Sequence, residues 1–513
     1  MLKEWWEYNM NYQSTRNKDV ALNSMEIIKQ GISADGGLFV PTEIPKFSTQ
    51  DLNKLIDMTY EQRAVAILSL FLTDFSQEDL TRCVHSAYGM GSFDSKGIAP
   101  VISLSDDFFV QELWHGPTCA FKDMALQILP HLMSTAVRRT GEDKEIVVLV
   151  ATSGDTGKAA LEGFKDVERI KIIVFYPEQG VSHIQKLQMV TQEGNNVFVA
   201  AVKGNFDDAQ TGVKNIFTDE SMIKMLEKSG YTFSSANSIN WGRLVPQIVY
   251  YISAYLDLLK ENWISEGEEF NVVVPTGNFG NILAAYYAKM MGIPIGKLIC
   301  ASNKNNVLAD FINTGIYDRR REFYKTISPS MDILISSNLE RLLFELSGKQ
   351  DDRVRDWMRD LKEKGVYKLD SETISRLQDL FWGGYATEDQ TMESIEKTYN
   401  EYGYVLDPHT AVGKWVYDAY RKETQDRRKT VLVSTASPFK FAGDVLRSII
   451  GEESIKGKDE FTLLDILSDI ARMEIPAGLR GLDKKPILHN TICSKEDMRN
   501  VISNFLELDG VSK

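Results

Sequence analysis

From about residue 100 the chain alternates two kinds of pattern. Short β-branched and apolar runs (EIVVLVA, KIIVFYP, NVFVAAVKG, NVVVPT, KLICASN and TVLVSTA) are separated by loops and longer stretches with helical spacing, such as ILAAYYAKMM. Continuous apolar runs predict strands buried on both faces, and strands alternating with helices predict parallel α/β sheet. Residues 1–95 read differently. Amphipathic helical patterning, as in DLNKLIDMTYEQRAVAILSLFL, surrounds the turn-rich SADGGLFVP, where Asp35, Gly36 and Gly37 can supply positive-φ positions. This predicts an N-terminal helical subdomain without chemistry of its own. The charged stretch 349–364, KQDDRVRDWMRDLKEK, carries opposite charges at i, i+4 and predicts a solvated helix, while GEESIKGKDE predicts a surface loop.

Three of the predicted strands run into small or polar residues just before a helix: VATSGDTGKAALEGF, VVPTGNFGNILAAYYAKMMG and VSTASPFKFAGDVL. Ligands of open α/β sheets bind beyond the carboxyl ends of strands, often at helix N-termini, so these loops are candidates for one shared site.

Composition narrows the class. At 513 residues the chain exceeds one ordinary core, and 43% hydrophobic with 25% charged residues is globular. The net charge is −14, and no Lys/Arg-dense stretch matches a phosphate backbone, so nucleic acid is not an expected partner. Cys83, Cys119, Cys300 and Cys493 are scattered without metal-ligand spacing, and no metal is expected. They read as reduced thiols of a cytoplasmic protein. Cys119 is near a candidate lysine, but small apolar packing is the commoner role of such a residue. The N-terminus lacks the pattern of a signal peptide, and no window nears about 18 uncharged apolar residues, so no membrane partner is expected.

In HGPTCAFKD, Ala120 and Phe121 put an apolar pair before Lys122. Desolvation there lowers an amine's pKa and makes it a competent nucleophile, although a lysine after an apolar pair is usually a snorkelling side chain. PTGNFGN opens a helix, and Gly277, Asn278, Phe279, Gly280 and Asn281 can aim successive N–H groups at one phosphate; an ordinary strand-to-helix turn also uses glycines. ATSGDTGK superficially matches a nucleotide-binding P-loop. That motif needs a glycine where Thr152 stands and a hydroxyl where Ala159 stands, so a kinase or ATPase is disfavoured. What remains is a small, donor-rich loop suited to a carboxylate. NSINWGR gathers Asn237, Ser238, Asn240 and Arg243, with Arg243 a candidate bidentate phosphate partner, or else simply caps the following helix.

Together YQSTR, DGGLFVP, HGPTCAFKD, ATSGDTG, GNFDDAQ, NSINWGR, PTGNFGN and STASPFKF, in this order over nearly the whole chain, resemble the long bacterial and fungal threonine synthases. These are fold-type-II enzymes dependent on pyridoxal phosphate. The resemblance implies a tryptophan synthase β-like α/β fold with two open α/β domains: 96–135 with 236–513 as the large one, 136–235 as the small one, after the subdomain 1–95. It implies that Lys122 carries pyridoxal 5′-phosphate as a Schiff base, that Gly277 to Asn281 hold the cofactor phosphate, and that Thr435 faces the pyridine nitrogen. A threonine there leaves the ring largely neutral and favours elimination chemistry. Ser153, Gly154 and Thr156 are implied to take the substrate carboxylate, Asp155 to turn toward the cofactor's 3′-oxygen, and Asn237, Ser238 and Arg243 to grip the leaving phosphate. His115 reads as a structural histidine; Asp207, Asp208 and Gln210 have no physical role from sequence. STASPFKF departs from the family's STAHPAKF at Ser437 and Phe439, which alters pocket shape beside the retained Thr435.

The expected reaction converts O-phospho-L-homoserine and water to L-threonine and phosphate, with Lys122 as the base, in a monomer or homodimer. The nearest alternative releases 2-oxobutyrate, ammonia and phosphate, and a third is a noncatalytic protein that kept the fold.

Overall fold

The computed structural model describes residues 9–89, 91–152, 154–179 and 181–508. Its centre is a six-stranded sheet in the order Phe381–Tyr385, Ile295–Ser302, Phe270–Pro275, Thr430–Ser434, Phe108–Glu112, Val101–Ser105. All neighbours run parallel except the last pair. Val272, Val273 and Val274 are at most 1% exposed, so side chains pointing to both faces are buried, each contributing about 1.5–3 kcal/mol relative to exposure. The helix Trp241–Lys260 is buried along most of its length, and it packs beside Gly280–Met290, which leaves the C-terminal end of Phe270–Pro275.

A second, all-parallel sheet has the order Thr491–Cys493, Val197–Val202, Ile170–Pro177, Glu145–Ala151, Tyr231–Ser234. Its first strand corrects the expectation that 236–513 lies wholly in the large unit. Thr491–Cys493 and the following helix Met498–Phe505 return to the other sheet, with Met498 and Ile502 in its apolar cluster. The three-residue strand is too short to carry a period-2 signal.

The N-terminal region is not only helical. Tyr12–Ser14 pairs antiparallel with both Asn17–Leu22 and Phe39–Pro41. The stretch DLNKLIDMTYEQRAVAILSLFL is helical as expected, in two pieces, Thr49–Leu55 and Tyr60–Ser69, because Thr59 accepts the Gln62 N–H and Gln62 caps the Thr59 N–H in return. The charged stretch forms Asp351–Glu363, with Val354 and Trp357 buried and pairs such as Arg355–Asp351 (2.9 Å) on its wet face. GEESIKGKDE is largely exposed but includes the one-turn helix Glu452–Ile455. Among the described residues no helix is long and apolar enough to cross a membrane.

Candidate active site

Three neighbouring parallel strands, Phe270–Pro275, Thr430–Ser434 and Phe108–Glu112, bring their carboxyl ends together. Beyond them pairing continues irregularly. Leu113 N–H donates to Ser434 O, Phe121 N–H to Thr435 O at 2.8 Å, and Ala120 bridges Ala436. Thr435 therefore lies one residue from Lys122 across an antiparallel contact. The loop before Lys122 is closed by Asp123, whose carboxylate accepts the Thr118 N–H (2.8 Å) and hydroxyl (2.6 Å). Burial raises Asp123 to about 6 against those bonds.

Lys122 starts the short helix Asp123–Leu126, 9% exposed, with its Nζ 3.1 Å from Ser330 Oγ, 3.7 Å from Asp155 Oδ2 and over the Phe121 ring. Its pKa lies below the ordinary lysine value. Burial is the main cause, the cations Lys440 and Arg243 add to it, and Asp155 opposes it. Asp155 opens the helix Asp155–Phe164 after Gly154, whose φ of 155° strongly favours glycine. Asp155 is buried, pairs with Lys440 Nζ at 2.7 Å and accepts from Gln185 Nε2 at 3.1 Å. Burial favours its protonated form, but Lys440 and Lys122 prevail and hold it far below the carboxylate range. Asp155 thus faces the amine rather than solvent.

The phosphate-loop candidates fit an anion. Phe279 is left-handed at φ 63°, and the first intrahelical bond after it is Leu283 N–H to Phe279 O. The N–H groups of Gly280, Asn281 and Ile282 therefore have no intrahelical acceptor. A Cβ on Gly277 would come 2.5 Å from Ser330 O, so this wall of the loop has no room for a side chain. Asn278 is exposed and its carbonyl accepts from Asn338 Nδ2 (3.0 Å). The Asn281 Oδ1 is held in the core, accepting from Tyr250 (2.6 Å) and Tyr251 (2.5 Å) hydroxyls, while its Nδ2 is a buried donor without a hydrogen-bond partner.

Arg243 is 5% exposed. Its Nη1 donates to Ala236 O at 3.0 Å, its Nε is buried without a partner, and no carboxylate ion-pairs with it among the described residues. Burial pulls its pKa down from the ordinary guanidinium value to about 10. A buried cation without an anion calls for one from outside. The capping role of NSINWGR is filled by Asn240, which accepts Gly242 N–H at 2.9 Å; Asn237 is exposed and Ser238 half-buried.

Other predicted residues divide. Ser153 lies outside the described residues, and Thr156 is half-buried. The Gly154 N–H is taken by Thr152 Oγ1 at 3.0 Å. Lys158 pairs with Glu162 (2.8 Å) and Gln192 (2.5 Å). His115 is held between Asp94 (2.5 Å) and Glu112 (2.8 Å); burial opposes its charge, but these bonds raise it to about 9. Burial pushes the Cys119 thiol up to about 12. GNFDDAQ builds a helix start: Asp208 and Asn205 cap each other, Asp208 pairs with Lys495 (3.2 Å), and Gln210 accepts from Lys214 (3.2 Å).

Sequence reasoning missed Lys440, Ser330, His409 and Gln185. Lys440 had a signal, since in PFKF it sits between two phenylalanines, the kind of environment that singled out Lys122. Ser330 and Gln185 had none.

A buried amine with a lowered pKa beside an anion cradle and a buried cation without an acid partner suits a pyridoxal-phosphate-dependent enzyme, and residues 96–367 match the family described as "Pyridoxal-phosphate dependent enzyme". Residues 11–88 match "Threonine synthase N terminus". A threonine synthase of Pseudomonas aeruginosa is 36% identical over 448 residues, covering 86% of this chain and 91% of that one. The chain belongs to the threonine synthase family. A Homo sapiens protein named threonine synthase-like 1 is 43% identical over 435 residues, covering 83% of this chain but 58% of its own length, so the chain spans little more than half of that relative. The crystal structure of threonine synthase from yeast has a TM-score of 0.87 at 33% identity, covering 97% of this chain and 99% of that one. A pyridoxal-phosphate-bound threonine synthase structure from Brucella melitensis has a TM-score of 0.86 at 35% identity over 97% and 98%.

Proposed function

We propose that the chain converts O-phospho-L-homoserine and water into L-threonine and inorganic phosphate. The observation that carries this reading is the pair Lys122 and Arg243: a buried amine with a depressed pKa, within electrostatic reach of a buried guanidinium that has no acid partner among the described residues. One supplies a base, the other a place for a departing phosphate. The name threonine synthase borne by full-length relatives supports the same reading.

Lys122 would hold pyridoxal phosphate, with the loop Gly277 to Asn281 around its phosphate and Thr435 and Asp155 beside its ring. When bound, this group supplies an electron sink for charge developing at Cα and Cβ of an amino-acid substrate. The chain's own residues then move protons and hold anions. Lys122, displaced by the substrate amine, takes the proton from Cα and then one from Cβ. Arg243, with Asn237 and Ser238, takes the phosphate as the Cγ–O bond breaks and its electron pair leaves with oxygen. Lys122, which passes the Cα proton to the phosphate before taking the one from Cβ, delivers the Cβ proton to Cγ; water adds its oxygen at Cβ while its proton goes to Lys122, which returns it to Cα. Thr156 and Ser153 are proposed to hold the carboxylate; Gly154, its N–H already committed to Thr152, contributes space rather than a donor.

Purified holoenzyme with O-phospho-L-homoserine should release threonine and phosphate in equal amounts. Release of 2-oxobutyrate and ammonia in place of threonine would overturn the reading, and absence of any turnover with bound cofactor would restore the noncatalytic one.

A further inference from the structure

We propose that Ser330 is a positioning residue for Lys122, and that the buried Asp407–His409 pair acts on Lys122 through it. The inference rests on the reading of Lys122 as the proton-transferring group.

Ser330 lies in the one-turn helix Pro329–Met331 and accepts a hydrogen bond from Lys122 Nζ. Its surroundings hold it on several sides. Its N–H donates to His409 Nε2 at 3.1 Å. Its carbonyl faces Gly277, where a Cβ would come within 2.5 Å. Its loop is closed by Asp332, which accepts the Thr326 N–H (3.0 Å) and hydroxyl (2.8 Å), Asn303 Nδ2 (2.7 Å) and Asn305 Nδ2 (3.0 Å).

A buried histidine is most often a satisfied core group. Here the bonding specifies more. Because Ser330 N–H donates into Nε2, that nitrogen carries no proton, so Nδ1 holds it and donates to Asp407 Oδ1 at 2.9 Å. Asp407 is 0% and His409 2% exposed, and Asp407 also caps Pro408–Thr424 by accepting the His409 and Thr410 N–H groups and the Thr410 hydroxyl. Thr410 Oγ1 in turn meets the Thr435 N–H at 3.3 Å. The pair therefore braces both the Ser330 turn and the Thr435 strand end.

The consequence lies in the direction of a lone pair. A neutral amine has two N–H bonds and one lone pair. Ser330 Oγ and Asp155 Oδ2 are two acceptors beside Nζ. Ser330 Oγ engages one hydrogen at 3.1 Å and the Asp155 carboxylate at 3.7 Å attracts the other without a hydrogen bond, so the Ser330 bond is what turns the lone pair away from these two oxygens, the orientation a base needs before it meets Cα. Without Ser330 the amine would rotate about Cε–Nζ and spend part of its time turned away.

The test uses holoenzyme and L-2-aminobutyrate, which has a Cα proton but no leaving group, with solvent deuterium uptake at Cα followed by proton NMR. Ser330→Ala should slow exchange about 10- to 100-fold, with KM for O-phospho-L-homoserine changed by less than about twofold, as expected when a base is misplaced and substrate binding is intact. His409→Leu should act similarly. Ser330→Thr, which keeps the hydroxyl, and His409→Gln, whose Oε1 offers an acceptor where Nε2 lies, should recover most of the rate. A structural role alone would lower folded, cofactor-coloured protein without slowing exchange per coloured site. Exchange by coloured Ser330→Ala at the unaltered rate would overturn the proposal, and failure of His409→Gln to recover what His409→Leu loses would overturn the part played by the pair. No exchange by unaltered holoenzyme would instead overturn the role of Lys122, and this proposal with it.

Discussion

Replacing Arg243 with methionine should make the protein more stable and almost inactive. The guanidinium is buried, its Nε is unpartnered, and burial lowers it from the ordinary guanidinium value to about 10. Its folded pKa lies below the unfolded one, so the cost is full at every pH below about 10 and disappears only above the ordinary guanidinium range. At about 1.4 kcal/mol per pKa unit this amounts to about 3 kcal/mol at neutral pH. Methionine keeps most of the apolar stem but gives up the bond to Ala236 O, worth about 1 kcal/mol, leaving a net gain of about 2 kcal/mol. Calorimetric melting with and without inorganic phosphate measures both parts. Arg243→Met should melt higher than the unaltered protein in phosphate-free buffer. Phosphate at about 100 times its Kd should stabilise the unaltered protein by about 2.7 kcal/mol and leave the variant unchanged. Turnover should fall at least about 100-fold. A variant that melts lower and still responds to phosphate would refute the reasoning, because Arg243 would then have a partner inside the fold.

Three further outcomes follow from the same structure. Lys440→Met leaves buried Asp155 with the Gln185 amide and, as its remaining ion-pair partner among the described residues, Lys122 at 3.7 Å, and should cost about 3–5 kcal/mol, while Asp155→Asn in the same chain should recover most of it; denaturation of the four proteins gives the coupling, and additive losses would count against the pair. Glu345 is raised by burial from 4.5 to about 7, with Lys349 opposing. A carboxyl raised on folding costs nothing below about 4.5 and its full penalty above 7, so Glu345→Gln should stabilise by about 2–3 kcal/mol at pH 8 and hardly at pH 4, read from melting against pH. Gly163→Ala would bring a Cβ 1.9 Å from Leu126 O, at the end of the helix that begins after Lys122. It should cost about 3 kcal/mol and reduce turnover of whatever folds, whereas unchanged melting would show that the two helices separate freely.

Sequence pattern made most of both sheets legible, because strands such as EIVVLVA and NVVVPT are buried on both faces and so read as unbroken apolar runs. Phe108–Glu112 ends in two polar residues and Phe381–Tyr385 contains two glycines, which removes that signal, although both lie in the central sheet. Thr491–Cys493 pairs with Val197–Val202, a strand far earlier in the chain, and no local period reports such a pairing. At the site, loops opening helices were readable from glycines and small donors. The contacts around Lys122 were not, since Ser330 reaches Lys122 and Lys440 reaches Asp155 from short turns that carry no period, and they meet only in three dimensions.

The central claim is that Lys122, and not its neighbour Lys440, is the amine that bonds the cofactor. Both are buried and both approach Asp155, so geometry near Asp155 alone does not separate them. Lys440 is already committed, donating to Asp155 at 2.7 Å and Thr118 O at 2.9 Å, whereas Lys122 is more loosely held, 3.1 Å from Ser330 Oγ and 3.7 Å from Asp155. Borohydride reduction of holoenzyme followed by peptide mass spectrometry locates the bonded lysine. The label should sit on Lys122 in HGPTCAFKD; a label on Lys440, or none on any lysine, would contradict the account.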